Sequence, residues 1–322
     1  MSEVVVGIDL GGTNVRAAVV TREKEILTKA SMPTNAARGP EAVMAVMQAA
    51  AEAVLTAAKV APKDVLAVGI GSPGPLNWQT GVVYEAPNLP GWENVPLAQR
   101  MQERLHAPCF LDNDANVACY GEFWLGAGQG CENMALLTLG TGVGGGLVVF
   151  GRLVRGIDGT AAELGHIKVR RDGRLCGCGA RGCLEAYASV TGMVRTAVKG
   201  IKADRSTVLK DLCGNDLGAL TGKMISDAAE QGDAFARWVI EETGIWLGVG
   251  ISSIINALNP EKIVLCGGMI AAGDLLFEPI RRTARELSFD VPANRAEIVP
   301  AGLGADSGVI GAAGCGLERY DA

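Results

Sequence analysis

The sequence holds 322 residues, enough for two domains or one large duplicated one with ample surface to bury. Its 48% hydrophobic and 20% charged residues are those of a compact globular chain, and a net charge of −6 argues against a nucleic-acid-binding surface. Nine cysteines and an N-terminus without a signal peptide, where Glu3 precedes a short apolar run broken by Asp9, point to reduced thiols and a cytoplasmic protein.

The β-branched run from Val4 predicts a strand, and Gly11-Gly-Thr-Asn14 turns it into a second over 15–21, with a third over 25–31. Gly39-Pro40-Glu41 opens a helix whose apolar positions Val43, Val46, Met47, Ala50, Val54 and Ala58 recur at three and four. A strand over 65–70 ends at Gly71-Ser-Pro-Gly-Pro75, and 76–96 reads as a long irregular loop of the kind that carries function. Asp112-Asn-Asp114 then lies between a strand and a helix over 115–124.

The pattern repeats at a strand over 134–139, a glycine turn, and a returning strand over 147–150, for which duplication is the economical explanation. Helical segments fill 222–258 and close at Asn259-Pro260. The uncharged stretch 243–260 contains Ser252, Ser253, Asn256 and Asn259, too polar for a membrane span, and reads as a buried helix. A strand over 262–266 ends in Gly267-Gly268, followed by helices over 275–287 and 305–316.

Gly140-Thr-Gly-Val-Gly-Gly145 satisfies the dinucleotide-binding expression, but a strand rather than a helix is predicted after it, so that assignment is rejected. What remains is a glycine-threonine turn in each half, each offering backbone N–H groups suited to phosphate oxygens. Asp9 beside the first is placed to hold magnesium. Glu163, Glu185, Asn88 and Asn113 suit sugar hydroxyls, while one carboxylate of Asp112 and Asp114 suits a general base. His166 with Cys176, Cys178 and Cys183 makes the ligand set of a closed tetrahedral zinc site, with His166 offering its second nitrogen to substrate. The plainer alternative is three core thiols and a satisfied histidine.

In order, Asp9-Leu-Gly-Gly-Thr-Asn14, Ser72-Pro-Gly-Pro75, Pro87-Asn-Leu-Pro-Gly-Trp92, Asn113-Asp-Ala-Asn116, Leu139-Gly-Thr-Gly-Val-Gly-Gly-Gly146, Glu163-Leu-Gly-His166, the cysteine motif Cys176 to Glu185 and Asn259 to Gly268 resemble the successive motifs of the ROK family of repressors, open reading frames and sugar kinases. Among members they look most like bacterial glucokinases. The resemblance implies an α/β chain of the actin-like ATPase (ribonuclease H-like) fold, with two duplicated lobes and an interlobe cleft. The expected smaller lobe is 1–112 plus 305–322, and the larger is 113–304.

The same resemblance implies ATP-dependent phosphorylation of the glucose 6-hydroxyl, with Asp114 as the base and Asn113, Asp114, Glu163, His166 and Glu185 on the hexose, Asn88 being a weaker candidate. Nucleotide and magnesium fall to Asp9, Gly11, Gly12, Thr13, Asn14, Gly140, Thr141, Gly142, Gly144, Gly267 and Gly268, and zinc to His166, Cys176, Cys178 and Cys183. One departure stands out: Ala162 occupies a position where the family usually has glycine, so its methyl is expected to shift Glu163. The phosphate motif begins at residue 8, leaving no room for the repressors' DNA-binding domain. A homodimer without nucleic-acid or membrane partners is the family expectation. Mannose, fructose or N-acetylated hexosamine as substrate, polyphosphate as donor, and a non-catalytic sugar sensor are the alternatives.

Overall fold

In the computed structural model, which describes residues 3–86 and 88–322, β1 (Val4–Leu10), β2 (Asn14–Thr21) and β3 (Ile26–Pro33) run first, then α1 (Pro40–Ala58) and β4 (Val65–Ser72). The short β5 (Leu76–Asn77), β6 (Val82–Glu85) and β7 (Glu93–Val95) precede α2 (Leu97–Leu105), β8 (Cys109–Asn113) and α3 (Asp114–Leu125). Next come β9 (Met134–Leu139), β10 (Val143–Val149), β11 (Arg152–Leu153), α4 (Glu185–Ala188), α5 (Val190–Lys202), α6 (Leu209–Leu212), α7 (Gly222–Glu230) and α8 (Ala234–Leu258). The chain closes with β12 (Lys262–Cys266), α9 (Asp274–Leu287), α10 (Asp290–Arg295), β13 (Glu297–Pro300) and α11 (Ser307–Tyr320). Pro87, the first residue of one quoted motif, lies outside the described residues.

Two five-stranded sheets share one pattern of strand order, β3-β2-β1-β4-β8 and β11-β10-β9-β12-β13, which is what a duplicated unit predicts. In the first, β1 pairs antiparallel with β2 and parallel with β4; in the second, β9 pairs parallel with β12. The segment 76–96 departs from expectation, because β5, β6 and β7 form a small sheet of their own within it. Each strand there is too short for its run to register in the sequence.

Alternation along β1 sorts its side chains to two faces. Val4, Val6 and Ile8 pack with Val43, Met47 and Val54 of α1, while Val5 packs with Val309, Ile310 and Ala313 of α11. Each of the Val, Ile and Met side chains among these, buried fully, contributes about 1.5–3 kcal/mol relative to exposure. The α1 stripe is wider than predicted, since Met44, Ala51 and Leu55 are buried too. The closing helix approaches its neighbours so tightly that only glycine fits: a Cβ on Gly69 would lie 1.7 Å from the Ala312 carbonyl oxygen, and one on Gly311 would lie 1.6 Å from that of Val117. By length and composition α1 and α8 are long and apolar enough to cross a membrane, yet α8 has 61% of that window buried within the protein, as expected of a core helix.

The chain forms two compact units: Met1–Glu132 with Gly146–Ala162 and Ala301–Ala322, and Asn133–Gly145 with Glu163–Pro300. This differs from the expected division at 112/113 and 304/305. The glycine-mediated contact of α3 with α11 binds Asp114 and its helix into the first unit. Fully buried Glu122 on α3 adds to this by accepting bonds from the N–H groups of Ala127, Gly302 and Leu303 and from the Ser307 hydroxyl.

Candidate active site and metal centre

In the first unit the Gly11-to-Asn14 turn joins β1 to β2. Gly11 N–H donates to the Asn14 carbonyl at 3.0 Å, and Thr34 donates its N–H to Thr13 O and its hydroxyl to Gly11 O. The turn's carbonyls are thereby held from behind, and among the described residues the N–H groups of Gly12 and Thr13 have no partner. Adjacent backbone donors without a partner in one turn are suited to an anion. Asn88 lies over this turn, its Cβ 3.3 Å from where a Gly12 side chain would begin.

Asp9 is the last residue but one of β1, with its carboxylate against Gly308 in the first turn of α11. Burial, and next the like charge of Asp114, push Asp9 up to about 6, against the opposing pull of Arg16. Two carboxylates that disfavour each other's charge in this way are relieved by a divalent cation, so the pair fits magnesium held through Asp9.

The Asp112-Asn-Asp114 run divides its labour. Asp112 is buried and fully engaged, accepting from Arg155 Nε at 2.6 Å, Asn116 Nδ2 at 2.9 Å and the Asn113 N–H at 2.9 Å. Burial disfavours the Arg155 charge, but Asp112 and Glu318 around it hold the guanidinium above its ordinary value. The helix cap is Asn113, whose Oδ1 accepts from the Ala115 and Asn116 N–H groups. That leaves the Asn113 amide nitrogen as its donor toward a ligand. Asp114 is exposed at the first residue of α3, with Oδ1 2.8 Å from the Ala115 N–H. Of the two carboxylates, Asp114 is the exposed one.

In the second unit β9 runs into the turn at Gly140, Thr141 and Gly142, and the strand β10 follows it, which removes the dinucleotide-fold reading. Gly140 N–H donates to Gly142 O, Val190 N–H to Gly140 O and the Thr191 hydroxyl to Thr141 O. Among the described residues the N–H groups of Thr141 and Gly142 are left without a partner, as in the first turn. Gly144 is a correction: it lies within β10 and spends its N–H on Thr138 Oγ1 at 3.1 Å. Gly267 (φ 102°) packs where a Cβ would lie 2.4 Å from Leu139 O, and Gly268 beside it faces open space.

Glu163 caps a short 3-10 turn that ends at His166, with its Oε2 3.9 Å from His166 Nε2. The other ring nitrogen, Nδ1, lies 3.8 Å from Cys176 Sγ, and Cys178 Sγ lies 3.7 Å from Cys183 Sγ. All four ligand atoms fall within 4.8 Å of one another. A tetrahedron with bonds of about 2.3 Å to sulfur has edges of about 3.8 Å, so this donor set fits zinc with little rearrangement. Lys168 Nζ donates to Cys183 Sγ at 2.8 Å and offsets thiolate charge. Burial, and Glu185 beside it, push the Cys176 thiol up to about 12, so loading a metal must displace that proton.

Glu185 starts α4 and joins the two features. Its Oε2 accepts the Val143 N–H at 3.0 Å, and its Oε1 lies 3.2 Å from Cys176 Sγ. A cavity of about 340 Å³ between the turn and the cysteine loop is lined by Thr141, Cys176, Glu185, Thr191 and Arg195 among others. The sequence missed Arg155, Lys168 and Thr191, whose partners lie 43, 15 and 50 residues away along the chain with no local motif to mark them.

The profile of the ROK family matches residues 5–317. The chain belongs to the ROK family. It is 41% identical over 307 residues to the glucokinase of Halalkalibacterium halodurans, a match spanning 95% of this chain and 92% of that relative. Among solved structures it is similar to the ROK hexokinase from Thermus thermophilus, at 34% identity and a TM-score of 0.83 over 99% of this chain and 100% of that one. A ROK family glucokinase from Streptomyces griseus in complex with glucose and AMPPNP is similar at 36% identity and a TM-score of 0.79, over 98% and 99% of the two chains. The fold is accordingly the actin-like ATPase fold that the motifs imply.

Proposed function

We propose that the protein transfers the γ-phosphoryl group of ATP to the 6-hydroxyl of glucose, giving glucose 6-phosphate and ADP. The observation that carries this reading is the exposed Asp114 in the electrostatic reach of Asp9, which lies beside a turn where, among the described residues, the Gly12 and Thr13 N–H groups have no partner. A base and a phosphate cradle in one unit are what a phosphotransferase needs and a sugar sensor does not. Similarity to glucokinases along nearly the whole chain supports the same reaction.

Asp114 accepts the 6-hydroxyl proton as that oxygen attacks the γ-phosphorus in line, and the bond to the β-phosphate oxygen breaks as ADP leaves. Asn113 donates its amide N–H to a hexose hydroxyl, and Glu163, His166 and Glu185 bind others, with Asn88 a further contact beside the first turn. The free N–H groups of Gly12, Thr13, Thr141 and Gly142 stabilise phosphate charge, and Gly268 leaves room for the nucleotide. Magnesium at Asp9 would neutralise charge on the transferring group, and zinc on His166, Cys176, Cys178 and Cys183 would fix the loop bearing Glu163 and Glu185.

The backbone at Ala162 favours a second reading of substrate choice. Its φ of 63° is the left-handed region, and Glu163 follows directly, so mannose, fructose or an N-acetylated hexosamine is the alternative acceptor. Among the described residues, which include all nine cysteines, none forms a disulfide, which supports assignment to the cytoplasm. Assembly as a homodimer is assigned on the family expectation and is checked by the mass in solution. The deciding experiment is ADP production over a panel of hexoses with ATP or polyphosphate as donor. Glucose with ATP is expected to give the highest kcat/KM; no ADP with any hexose would sink the kinase reading.

A further inference from the structure

Behind the cysteine loop, within the second unit, lies a pocket of about 460 Å³ that shares no residue with the sites above. That volume is in the range of small-molecule sites. Aromatic residues are only 5% of the chain, yet Tyr187, Phe235, Trp238 and Trp246 all line this one pocket. They form two pairs, Tyr187 with Trp246 at 4.3 Å between ring centroids and Phe235 with Trp238 at 5.6 Å. Arg170, Lys199 and Arg205 line it as well, and among the described residues none of these three cations has a salt bridge. Arg205 lies 5.4 Å above the Trp238 ring.

Arg174 adds a fourth cation at the wall, its guanidinium spent on Ala186 O, Gly192 O and the Thr196 hydroxyl. Asp172 and Glu242 in the lining offset two of the four positive charges of Arg170, Arg174, Lys199 and Arg205, so the lining stays net positive. A positive, aromatic-walled concavity on a chain of net charge −6 is unexplained by phosphoryl transfer to a sugar.

We propose that this pocket is a second binding site, for a small phosphomonoester borne on a ring that stacks, either a sugar phosphate or a nucleoside monophosphate. Unpaired Arg and Lys side chains take the phosphate, and the aromatic pairs take the ring face. Occupancy reaches the sugar-binding loop through two links. The Tyr187 hydroxyl accepts the Arg174 N–H at 2.7 Å; Arg174 stands two residues before Cys176, and Tyr187 two after Glu185. The ligand therefore acts on the hexose KM.

The test is calorimetric titration of the full chain with inorganic phosphate, AMP and glucose 6-phosphate, alongside tryptophan fluorescence. The comparison is with the double variant Lys199→Ser, Arg205→Ser, which alters exposed side chains outside the catalytic machinery. At least one of the two esters is expected to quench fluorescence and to bind a site that the double variant weakens roughly 10²-fold, with basal kcat unchanged. Which ester does so identifies the source of the phosphate. Arg205→Lys is expected to retain most of that binding. Equal affinities in wild type and double variant, or inorganic phosphate binding as tightly as both esters, would overturn the proposal. The readout is binding rather than turnover, so its failure is distinct from failure of the kinase reading.

Discussion

Glu185 accepts the backbone N–H of Val143 at 3.0 Å while its other oxygen lies 3.2 Å from Cys176 Sγ, so one carboxylate ties the second phosphate turn to the cysteine loop. Replacing it with alanine leaves a half-buried N–H without a partner, at a cost of about 1–3 kcal/mol. Glu185→Ala is expected to lower the melting temperature and to raise KM for hexose and ATP together, whereas Glu185→Gln keeps the acceptor and the fold. Steady-state kinetics with each substrate varied decides this: a rise confined to hexose would contradict the link to the turn.

Asp9 carries a pH signature. Its folded value of about 6 lies above the ordinary 3.8, so the folded state holds the proton more tightly than the unfolded chain. Its contribution to stability is fully present below about pH 4 and is lost as pH rises through about 6. Without divalent cations, Asp9→Asn is expected to melt above wild type near about pH 7.5 and to lose that advantage toward about pH 4.5. Activity should fall in the same variant. Parallel melting profiles across that range would show that Asp9 is not perturbed.

The thiol cluster predicts about one tightly held zinc per chain. Chelation, or Cys178→Ser, is expected to lower the melting temperature and to weaken hexose binding, because the loop bearing Glu163 and Glu185 loses its clamp. Metal analysis and calorimetry with glucose check both. A metal-free chain of unchanged stability and affinity would refute the centre.

Ala162 holds a left-handed φ of 63° immediately before Glu163. Such a backbone costs a residue with a Cβ about 1–2 kcal/mol, which glycine avoids at some entropic cost of its own. Ala162→Gly is expected to gain roughly 0.5–1 kcal/mol of stability and to shift the ranking of hexoses by KM. A fall in melting temperature would contradict the strain.

Much of this was legible in the chain because repeated short runs met repeated glycine turns. Val4 to Asn14 and Met134 to Gly142 each announce a buried strand feeding a turn, and the structure gives both the same place at the centre of a sheet. The cysteine motif fixed its own geometry, since Gly182 (φ 77°) and Gly179 (φ 83°) allow the wrap that brings the thiols together. What escaped were partnerships made across distance. Residue types alone left Asp112 and Asp114 equivalent, and only the family resemblance chose Asp114; the Arg155 partner that occupies Asp112 and the Thr138 hydroxyl that takes the Gly144 N–H leave no mark in the sequence. The strands of 76–96 escaped because two to four residues cannot display a period.

The most direct test of the account is the rate of ADP formation from glucose and ATP by Asp114→Asn. The account predicts a fold and substrate affinities close to wild type with kcat lowered roughly 10²–10⁴-fold, the loss of a general base. Turnover near the wild-type rate would contradict it.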